Sequence, residues 1–352
     1  MAPQQTRQWV LADPPNSEPI YEGDNATFKL VKTTLPELRN DQVLVKTLYL
    51  SNDPAQRGWI QAGVDPERLY VPPVAKNDPM RSYVVSEVIA STSADLEVGQ
   101  LVSGQSSWTE YDVLDAAAVN LVQTQGGIKA THFIGALGAP GLTAYYGLVD
   151  VAGAKAGETV LVSGAAGAVG STVVQIAKHL VGAKRVIGIA GGEKKCRWVE
   201  SLGADICIDY KAANFKRQLI DATHGFVDVF YDNVGGEILD LALTRVKRFG
   251  RVAACGAISS YNVPGGKGSI TNWYEIISNR IEVRGFIIID AIMAGKVPAI
   301  IGKLVEGIQA GKIKLGDESE TVKTAKFEEV PKIWSLLFTG GNQGKLVTEL
   351  KD

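Results

Sequence analysis

Cysteine and histidine are scarce in this chain. It has three of each in 352 residues, and they are scattered: Cys196, Cys207 and Cys255, and His132, His179 and His224. No CxxC pair and no short spacing of ligand residues occurs. A catalytic zinc site normally needs three protein ligands and a structural site four, largely Cys and His. We therefore expect no metal, and surface or helix-capping roles for His179 and His224.

Long hydrophobic runs and an excess of either charge are also missing. The most apolar late run, residues 285–295, is interrupted by Asp290 and too short to span a bilayer. Residues 1–15 lack the apolar segment of a secretory signal. The formal net charge of −2 gives no basic field for nucleic acid or a membrane surface. We expect a cytoplasmic protein whose partner is a small molecule.

The length and the pattern of the chain indicate two domains. A chain of 352 residues, 45% hydrophobic, exceeds the usual single-domain size. Residues 9–115 show the short alternating runs of a β-rich module, and strands then alternate with helices, as in a doubly wound parallel sheet. The tail, including residues 334–338, reads as strand again. We predict a catalytic domain in two parts, 1–130 and 301–352, with a dinucleotide-binding domain inserted at 131–300.

A glycine turn is the strongest local signal. A β-branched run at residues 159–163 precedes Gly164, Gly167 and Gly170, after which apolar residues recur with helical period. Without side chains, glycines let backbone N–H groups approach a pyrophosphate, and a helix that begins there directs its positive end at that charge. Because such turns also serve simple strand-to-helix connections, the triplet alone leaves both interpretations open.

The next strand favours NADP(H) over NAD(H). It spans residues 185–190, and Ala190, Gly191 and Gly192 stand where an NAD-selective domain usually carries an acid for the ribose 2′-OH. Lys194 and Lys195 follow and could neutralise a 2′-phosphate. The alternative is a solvated charge cluster at the start of a helix.

Further candidates lie in loops. Asn233 and Tyr261 follow predicted strands at residues 227–233 and 251–257, where open α/β sheets bind ligands. A strand is also predicted over 281–289. In the β-rich module, Trp59 and Trp108 sit in polar loops, where they could line a site or pack on the core.

Taken together, the motifs resemble those of the zinc-independent medium-chain dehydrogenase/reductases, in the prostaglandin reductase and alkenal double-bond reductase branch. The motifs that carry the resemblance are AAGAVGS at 165–171, GLTAY at 141–145, YDNVGGE at 231–237, CGAISSYN at 255–262, GF at 285–286 and NQGKLV at 342–347. The resemblance covers nearly the whole chain. It implies a Rossmann-type domain inserted in a GroES-like β-rich catalytic domain.

The resemblance also implies an NADPH site. It assigns the pyrophosphate to residues 167–170, the 2′-phosphate to Lys195 rather than Lys194, and the adenosine phosphate region to Tyr210. The full set of implied cofactor residues is Gly167, Ala168, Val169, Gly170, Gly191, Lys195, Tyr210, Asn233, Cys255, Gly256, Ala257, Ile258, Tyr261, Phe286, Ile287, Ile288 and Asn342.

On the substrate side, the resemblance implies Tyr49, Asn52, Ala55 and Tyr261. Many relatives carry an aromatic residue in the sequence DPYMRG, whereas this chain has DPAQRG at residues 53–58, with Ala55 at that position. If this residue faces the substrate, the pocket should be wider than usual and suit a bulky or cyclic enone.

The implied reaction is NADPH-dependent reduction of a C=C bond conjugated to a carbonyl, with hydride delivered to the β-carbon. Tyr261 is the catalytic candidate, because a neutral phenol could hydrogen-bond the developing oxyanion or supply a proton; water is the other proton source, and Tyr261 could instead merely close the cofactor site. The alternatives are an NADPH quinone oxidoreductase, a zinc alcohol dehydrogenase and a non-catalytic NADPH-binding sensor. The family also tends toward homodimers.

Overall fold

The protein is described from a computed structural model, in which residues 3–264 and 270–351 are described. The chain divides into two compact units. The first comprises Met1–Gly135, Thr321–Gly341 and Lys345–Asp352, and the second Ala136–Glu320 and Asn342–Gly344. The second unit is therefore inserted between parts of the first.

Strands supply most of the first unit and the centre of the second. In chain order they are β1 Gln5–Leu11, β2 Phe28–Thr34, β3 Gln42–Ser51, β4 Arg81–Ser91, β5 Leu101–Ser107, β6 Tyr111–Asp115, β7 Val119–Leu121, β8 Thr159–Val162, β9 Arg185–Ala190, β10 Ile206–Asp209, β11 Val227–Asp232, β12 Val246–Ala254, β13 Glu282–Gly285, β14 Glu320–Ala325 and β15 Lys345–Leu350.

Helices lie mainly in the second unit. They are α1 Gln56–Trp59, α2 Ala139–Tyr145, α3 Ala168–Gln175, α4 Glu193–Ser201, α5 Phe215–Ala222, α6 Gly236–Leu243, α7 Trp273–Asn279, α8 Ile288–Met293, α9 Val297–Gln309 and α10 Val330–Thr339. π-Helical turns, Tyr146–Val151 and Ile176–Val181, extend α2 and α3. Short 3₁₀ turns are Pro66–Arg68, Ala116–Ala118, Ala130–Ile134, Asp317–Ser319 and Phe327–Glu329. Among the described residues, no helix is long and apolar enough to cross a membrane.

The second unit is built on a parallel sheet of order β10-β9-β8-β11-β12-β13. The chain starts in the middle at β8, winds outward through β9 and β10, and then returns to β11 on the other side of β8. Strands β9 and β11 are almost wholly buried, as expected for a sheet covered by helices on both faces. This is the doubly wound Rossmann-type fold, and its switch point lies between β8 and β11.

The first unit is built on an antiparallel sheet of order β14-β15-β3-β4-β5-β7, with β6 also paired to β3. Its core includes three rings that pack edge to face or tilted, Phe28, Trp108 and Trp334, with centroids 5.0 to 5.9 Å apart. Trp108 is fully buried here, so it packs on the core. The GroES-like β-rich domain expected from the sequence is confirmed, and the C-terminal strand β15 belongs to it.

Two strands predicted from the sequence were wrong. Residues 334–338 lie in helix α10, because Val330, Ile333, Trp334 and Leu337 recur at helical spacing behind a proline in the first turn. The strand expected over 281–289 ends at Gly285, and its apolar continuation forms α8 instead.

The unit boundaries fall at 135/136 and 320/321, later than the 130/131 and 300/301 expected from the sequence. The boundary at 320/321 is later than expected because of α9. This helix packs with the second unit, since a Cβ on its Gly307 would meet Ile313 at 2.9 Å and Leu180 at 3.4 Å.

Candidate functional site

The glycine turn joins β8 to α3 at the sheet's switch point. Gly164 adopts a left-handed φ of +58°, and Gly167 caps the helix without a side-chain hydrogen bond among the described residues. Gly170 has to be glycine, because a Cβ there would lie 2.3 Å from the carbonyl oxygen of Gly164. The first N–H groups of α3 lack intrahelical partners and lie at a turn of small residues. A helix start of this kind is suited to a phosphate.

The tail segment 342–344 lies against this turn within the second unit. The Gly344 N–H donates to the carbonyl of Ala166 at 2.8 Å, and Gly167 and Gly344 form a parallel bridge. The Asn342 side chain stays close to this contact, because its Nδ2 donates to the Gly344 carbonyl at 2.9 Å. The structure thus brings Asn342 to the glycine turn, more than 170 residues away in sequence.

The ends of β9 and β10 form the second part of the candidate site. The Tyr210 ring packs directly against Gly191. A side chain at this position would collide with the ring, since a Cβ there would lie 2.8 Å from it. Lys195 is half-buried, and its pKa is lowered by burial and then by the charge of Lys211. Lys211 also lies over the Tyr210 ring, 6.0 Å from its centroid. Two cations from different elements are therefore brought near each other, and one of them, Lys211, lies over an aromatic ring.

Lys211 was missed by the sequence reasoning. The turn that places it is held by Asp209, whose carboxylate accepts the N–H groups of Gly192 at 2.8 Å and of Lys211 at 2.9 Å. The available signal was its position directly after Tyr210, at the end of the next strand in the sheet.

Asn233 lies at the end of β11, beside the glycine turn. Its Nδ2 donates to the carbonyl of Ser163 at 2.7 Å, and its N–H donates to Ser163 Oγ at 2.9 Å. Asp232 completes the group by accepting Ser163 Oγ–H at 2.7 Å and the N–H groups of Val234 and Gly235. Burial raises the pKa of Asp232. Ser163 and Asp232, which the sequence reasoning did not select, thus fix the position of Asn233.

The loop after β12 holds the catalytic candidate. The N–H groups of Cys255 and Gly256 donate to the Asp232 carbonyl, which ties this loop to β11. Tyr261 folds back over the loop, and its hydroxyl oxygen accepts the Ala257 N–H at 3.1 Å. Burial raises the pKa of the Cys255 thiol to about 12, so this cysteine is neutral at physiological pH.

Phe286 directs its ring into the second unit. The ring lies 6.0 Å from that of Tyr231 and 5.9 Å from that of Tyr146, and it occupies the space over Gly147. The Phe286 ring is therefore engaged in packing within this unit, whereas Ile287 and Ile288 are partly exposed.

In the first unit, the implied substrate residues lie on β3 and the loop that follows it. Tyr49 Oη donates to Glu349 at 3.3 Å. Asn52 is only 1% exposed, and its Nδ2 donates to Thr348 Oγ1 at 3.0 Å. Ala55 is exposed at the start of α1. Of the three, Ala55 presents its side chain most openly.

A polar and aromatic cluster surrounds the loop that carries Ala55. The Trp59 indole N–H donates to Tyr70 Oη at 2.9 Å, and the Arg81 guanidinium lies 5.2 Å from the Trp59 ring centroid. Burial raises the pKa values of Tyr70 and Tyr83, with the charge of Asp53 adding to the effect. The sequence reasoning had selected only Trp59 here, because residues 70, 81 and 83 join the cluster through the fold.

No group of three or more His, Cys, Asp or Glu side chains that could hold a metal ion occurs within residues 3–264 and 270–351. The site features instead fit a dinucleotide that carries an additional phosphate. The evidence is the helix start at Gly167, the absence of an acidic side chain at Gly191 and Gly192 after β9, and the lysine pair near Tyr210.

Comparison with known proteins gives matches along the chain. A family model described as the N-terminal domain of oxidoreductase matches residues 7–122, and one described as zinc-binding dehydrogenase matches residues 168–304. The chain is 38% identical over 350 residues to the putative NADP-dependent oxidoreductase YfmJ of Bacillus subtilis, covering 98% of each protein.

Two further relatives have more specific names. The NADPH-dependent curcumin reductase of Escherichia coli is 35% identical, with 98% of this chain and 96% of that protein covered. Prostaglandin reductase 1 of Bos taurus is 34% identical, with 92% and 94% covered. Among solved structures, CurA from Vibrio vulnificus in complex with NADPH is 33% identical with a TM-score of 0.86, covering 98% of this chain and 99% of that one.

Proposed function

Because the chain belongs to the zinc-independent medium-chain dehydrogenase/reductases, in the branch of prostaglandin and alkenal double-bond reductases, we propose that it reduces the C=C bond of an α,β-unsaturated ketone or aldehyde with NADPH. It is an NADP-dependent oxidoreductase acting on CH–CH groups. The observation that carries the proposal is the lysine pair near Tyr210, which follows β9 and β10 of the parallel sheet whose strand β8 leads into the glycine turn. Relatives named as curcumin reductase and prostaglandin reductase support the reaction.

The chain's residues hold and orient the reactants. NADPH, when bound, supplies the hydride that the β-carbon of the enone receives. The start of α3 and the 342–344 segment would hold the pyrophosphate, and Lys195 with Lys211 the 2′-phosphate. Asn233, fixed by Ser163 and Asp232, would contact the ribose side.

Tyr261 is proposed to act on the substrate carbonyl. Its neutral hydroxyl can donate a hydrogen bond to the oxygen that gains negative charge, while the Ala257 N–H holds the phenol oxygen in place. The α-carbon would then take a proton from Tyr261 or from water. A conjugated acceptor is already electrophilic at its β-carbon, so positioning and this hydrogen bond provide most of the catalysis.

The test is a spectrophotometric assay of NADPH oxidation with a panel of α,β-unsaturated ketones and aldehydes, quinones and saturated aldehydes. We expect oxidation with the enones and a product saturated at the C=C bond, identified by mass spectrometry. Turnover of quinones alone would indicate a quinone oxidoreductase, and NADPH binding without any oxidation would indicate a sensor. Either result would overturn the proposal.

We further propose that the substrate is a bulky or cyclic enone. The support is the exposed methyl group of Ala55, at a position where many relatives have an aromatic residue. Ala55→Tyr should lower kcat/KM for bulky cyclic enones about tenfold or more while sparing small linear enals, since a phenol at this exposed position would narrow the space open to a bulky substrate. Parallel kcat/KM measurements on both substrate classes check this, and an unchanged ratio would contradict it.

We also propose that the protein is cytoplasmic. The three cysteines of the chain are free, in keeping with a reducing compartment.

We further propose that two copies form a homodimer. Strand β13 ends the sheet order of the described residues, and all four of its residues are exposed. Antiparallel pairing of two copies about Val283 would place Glu282 opposite Arg284 of the other copy. Sedimentation equilibrium should give twice the chain mass, and Val283→Asp the mass of one chain; a monomeric wild type would contradict the dimer.

A further inference from the structure

Two of the three cysteines lie on two elements that pack together, helix α4 and strand β10. Cys196 is on α4 and is 6% exposed. Cys207 is on β10, paired in register with Gly188 of β9. A Cβ on Gly188 would lie 3.2 Å from Cys207 Sγ and 2.8 Å from a methyl carbon of Val199 on α4. The Cys207 thiol therefore points to the sheet face that α4 covers, toward Cys196.

The two thiol groups are close enough to affect each other's ionisation. A Cys207 S–H that donates to the Cys196 thiolate lowers the pKa of Cys196 below its usual range. The same contact, together with burial, raises the pKa of Cys207. Cys196 is therefore the member that ionises more readily, and the thiolate is the form that reacts with oxidants.

We propose that Cys196 and Cys207 form a reversible disulfide when the protein meets hydrogen peroxide. The Cys196 thiolate attacks one peroxide oxygen, the O–O bond breaks, and Cys196 sulfenic acid and hydroxide result. Cys207 sulfur then attacks Cys196 sulfur, the S–O bond breaks, and water leaves with the thiol proton. The two thiols are oxidised by two electrons and the peroxide is reduced to water; a dithiol such as dithiothreitol reverses the reaction.

The disulfide would act on the lysine pair. Cys196 follows Lys195 directly, and Cys207 stands two residues before Asp209, which holds the N–H groups of Gly192 and Lys211. An S–S bond of about 2.05 Å is much shorter than a thiol contact, so α4 must shift against β10. The shift moves Lys195 relative to Lys211. This consequence rests on the proposed NADPH function, whereas the disulfide itself does not.

The experiment treats the purified full-length protein with stoichiometric hydrogen peroxide and measures intact mass, linked peptides and NADPH affinity by fluorescence titration. We expect loss of two hydrogen atoms, a peptide pair joined through residues 196 and 207, and an NADPH Kd raised about tenfold. Dithiothreitol should restore both the mass and the Kd.

Matched variants identify the pair. Cys196→Ser and Cys207→Ser should each prevent the mass loss, and Cys255→Ser should leave it intact; Cys196→Ala and Cys207→Ala serve if a serine variant fails to fold. Stepwise addition of oxygen without cross-linking, or cross-linking that includes Cys255, would overturn the disulfide. A formed disulfide with an unchanged NADPH Kd would overturn the coupling to the cofactor, and an enzyme that binds no NADPH in either state would instead refute the proposed function.

Discussion

At the scale of single residues, Tyr261 is proposed both to act on the substrate and to line the cofactor site, and a substitution can separate these two roles. Its hydroxyl oxygen accepts the Ala257 N–H, and this hydrogen bond does not use the O–H proton. Tyr261→Phe should lower kcat by roughly ten- to hundredfold, below the full effect of a lost general acid because water can still supply the proton. The NADPH Kd should change by less than about threefold, a fraction of a kcal/mol. Steady-state kinetics and an NADPH titration check both, and an undiminished kcat would remove the assigned role.

The lysine pair gives a prediction for cofactor choice. Lys195→Ala should weaken NADPH about tenfold or more, because a half-buried cation bound to phosphate contributes roughly 1.5–3 kcal/mol. Lys211→Ala should cost less, since Lys211 is exposed. NADH lacks the 2′-phosphate and should be almost unaffected, so the measurement is the NADPH-to-NADH ratio of kcat/KM. The control is Lys194→Ala, an exposed residue of the same helix; an equal loss for both cofactors would argue against a 2′-phosphate contact.

Some residues of the candidate site could be selected from the sequence and others could not. The glycines and Asn233 were selected because each stands at a fixed offset from a strand end, whereas Lys195 was preferred to Lys194 only through the family resemblance. Lys211 and Ser163 were not, because their roles depend on which strands are neighbours in the sheet. The Tyr70 and Tyr83 cluster depends on loop packing, which local periodicity does not encode.

At the scale of elements, the 342–344 segment can be tested through Gly344. Its φ is +62°, and an added Cβ would lie 1.9 Å from the Ser319 carbonyl oxygen. Gly344→Ala should therefore destabilise the protein by about 1–3 kcal/mol and weaken NADPH binding, as the segment leaves the glycine turn. Urea unfolding and NADPH titration measure the two effects. Gly316→Ala is the matched control, since a Cβ there meets nothing within 4 Å at an ordinary φ of −82°; equal behaviour of the two variants would contradict the prediction.

Element type was predictable from the sequence where periodicity was long, and failed where short apolar runs were ambiguous. The alternation of strands and helices from β8 to β12 gave the parallel sheet. Trp334 and Phe338, by contrast, come from a run whose aromatic and apolar content suits a strand as well as a helix, and the proline in the first turn of α10 was the deciding signal. For residues 286–289, the chain leaves β13 with Phe286 packed against Tyr231, a contact distant in sequence that local periodicity does not encode.

For the molecule as a whole, His132 ties stability to pH. It is 1% exposed, its Nδ1 accepts the Lys129 N–H at 3.0 Å, and its pKa is lowered from 6.5 to about 4, chiefly by burial and then by the Lys129 charge. Above pH 6.5 the histidine is neutral in both the folded and the unfolded chain. As the pH falls from 6.5 toward 4, the unfolded chain takes up a proton that the folded protein does not, so stability decreases.

We therefore expect the free energy of unfolding to drop by roughly 2 kcal/mol between pH 7 and pH 5 through this residue alone, at about 1.4 kcal/mol per pH unit below 6.5. His132→Asn should remove that component, because an asparagine Oδ1 can still accept the Lys129 N–H but does not titrate. Urea unfolding at both pH values measures the difference between wild type and variant, which cancels the shared contribution of the carboxylates. The exposed His224 provides the control, since His224→Asn should retain the wild-type pH dependence. If His132→Asn lost stability in parallel with wild type from pH 7 to pH 5, the buried neutral histidine would not be the source.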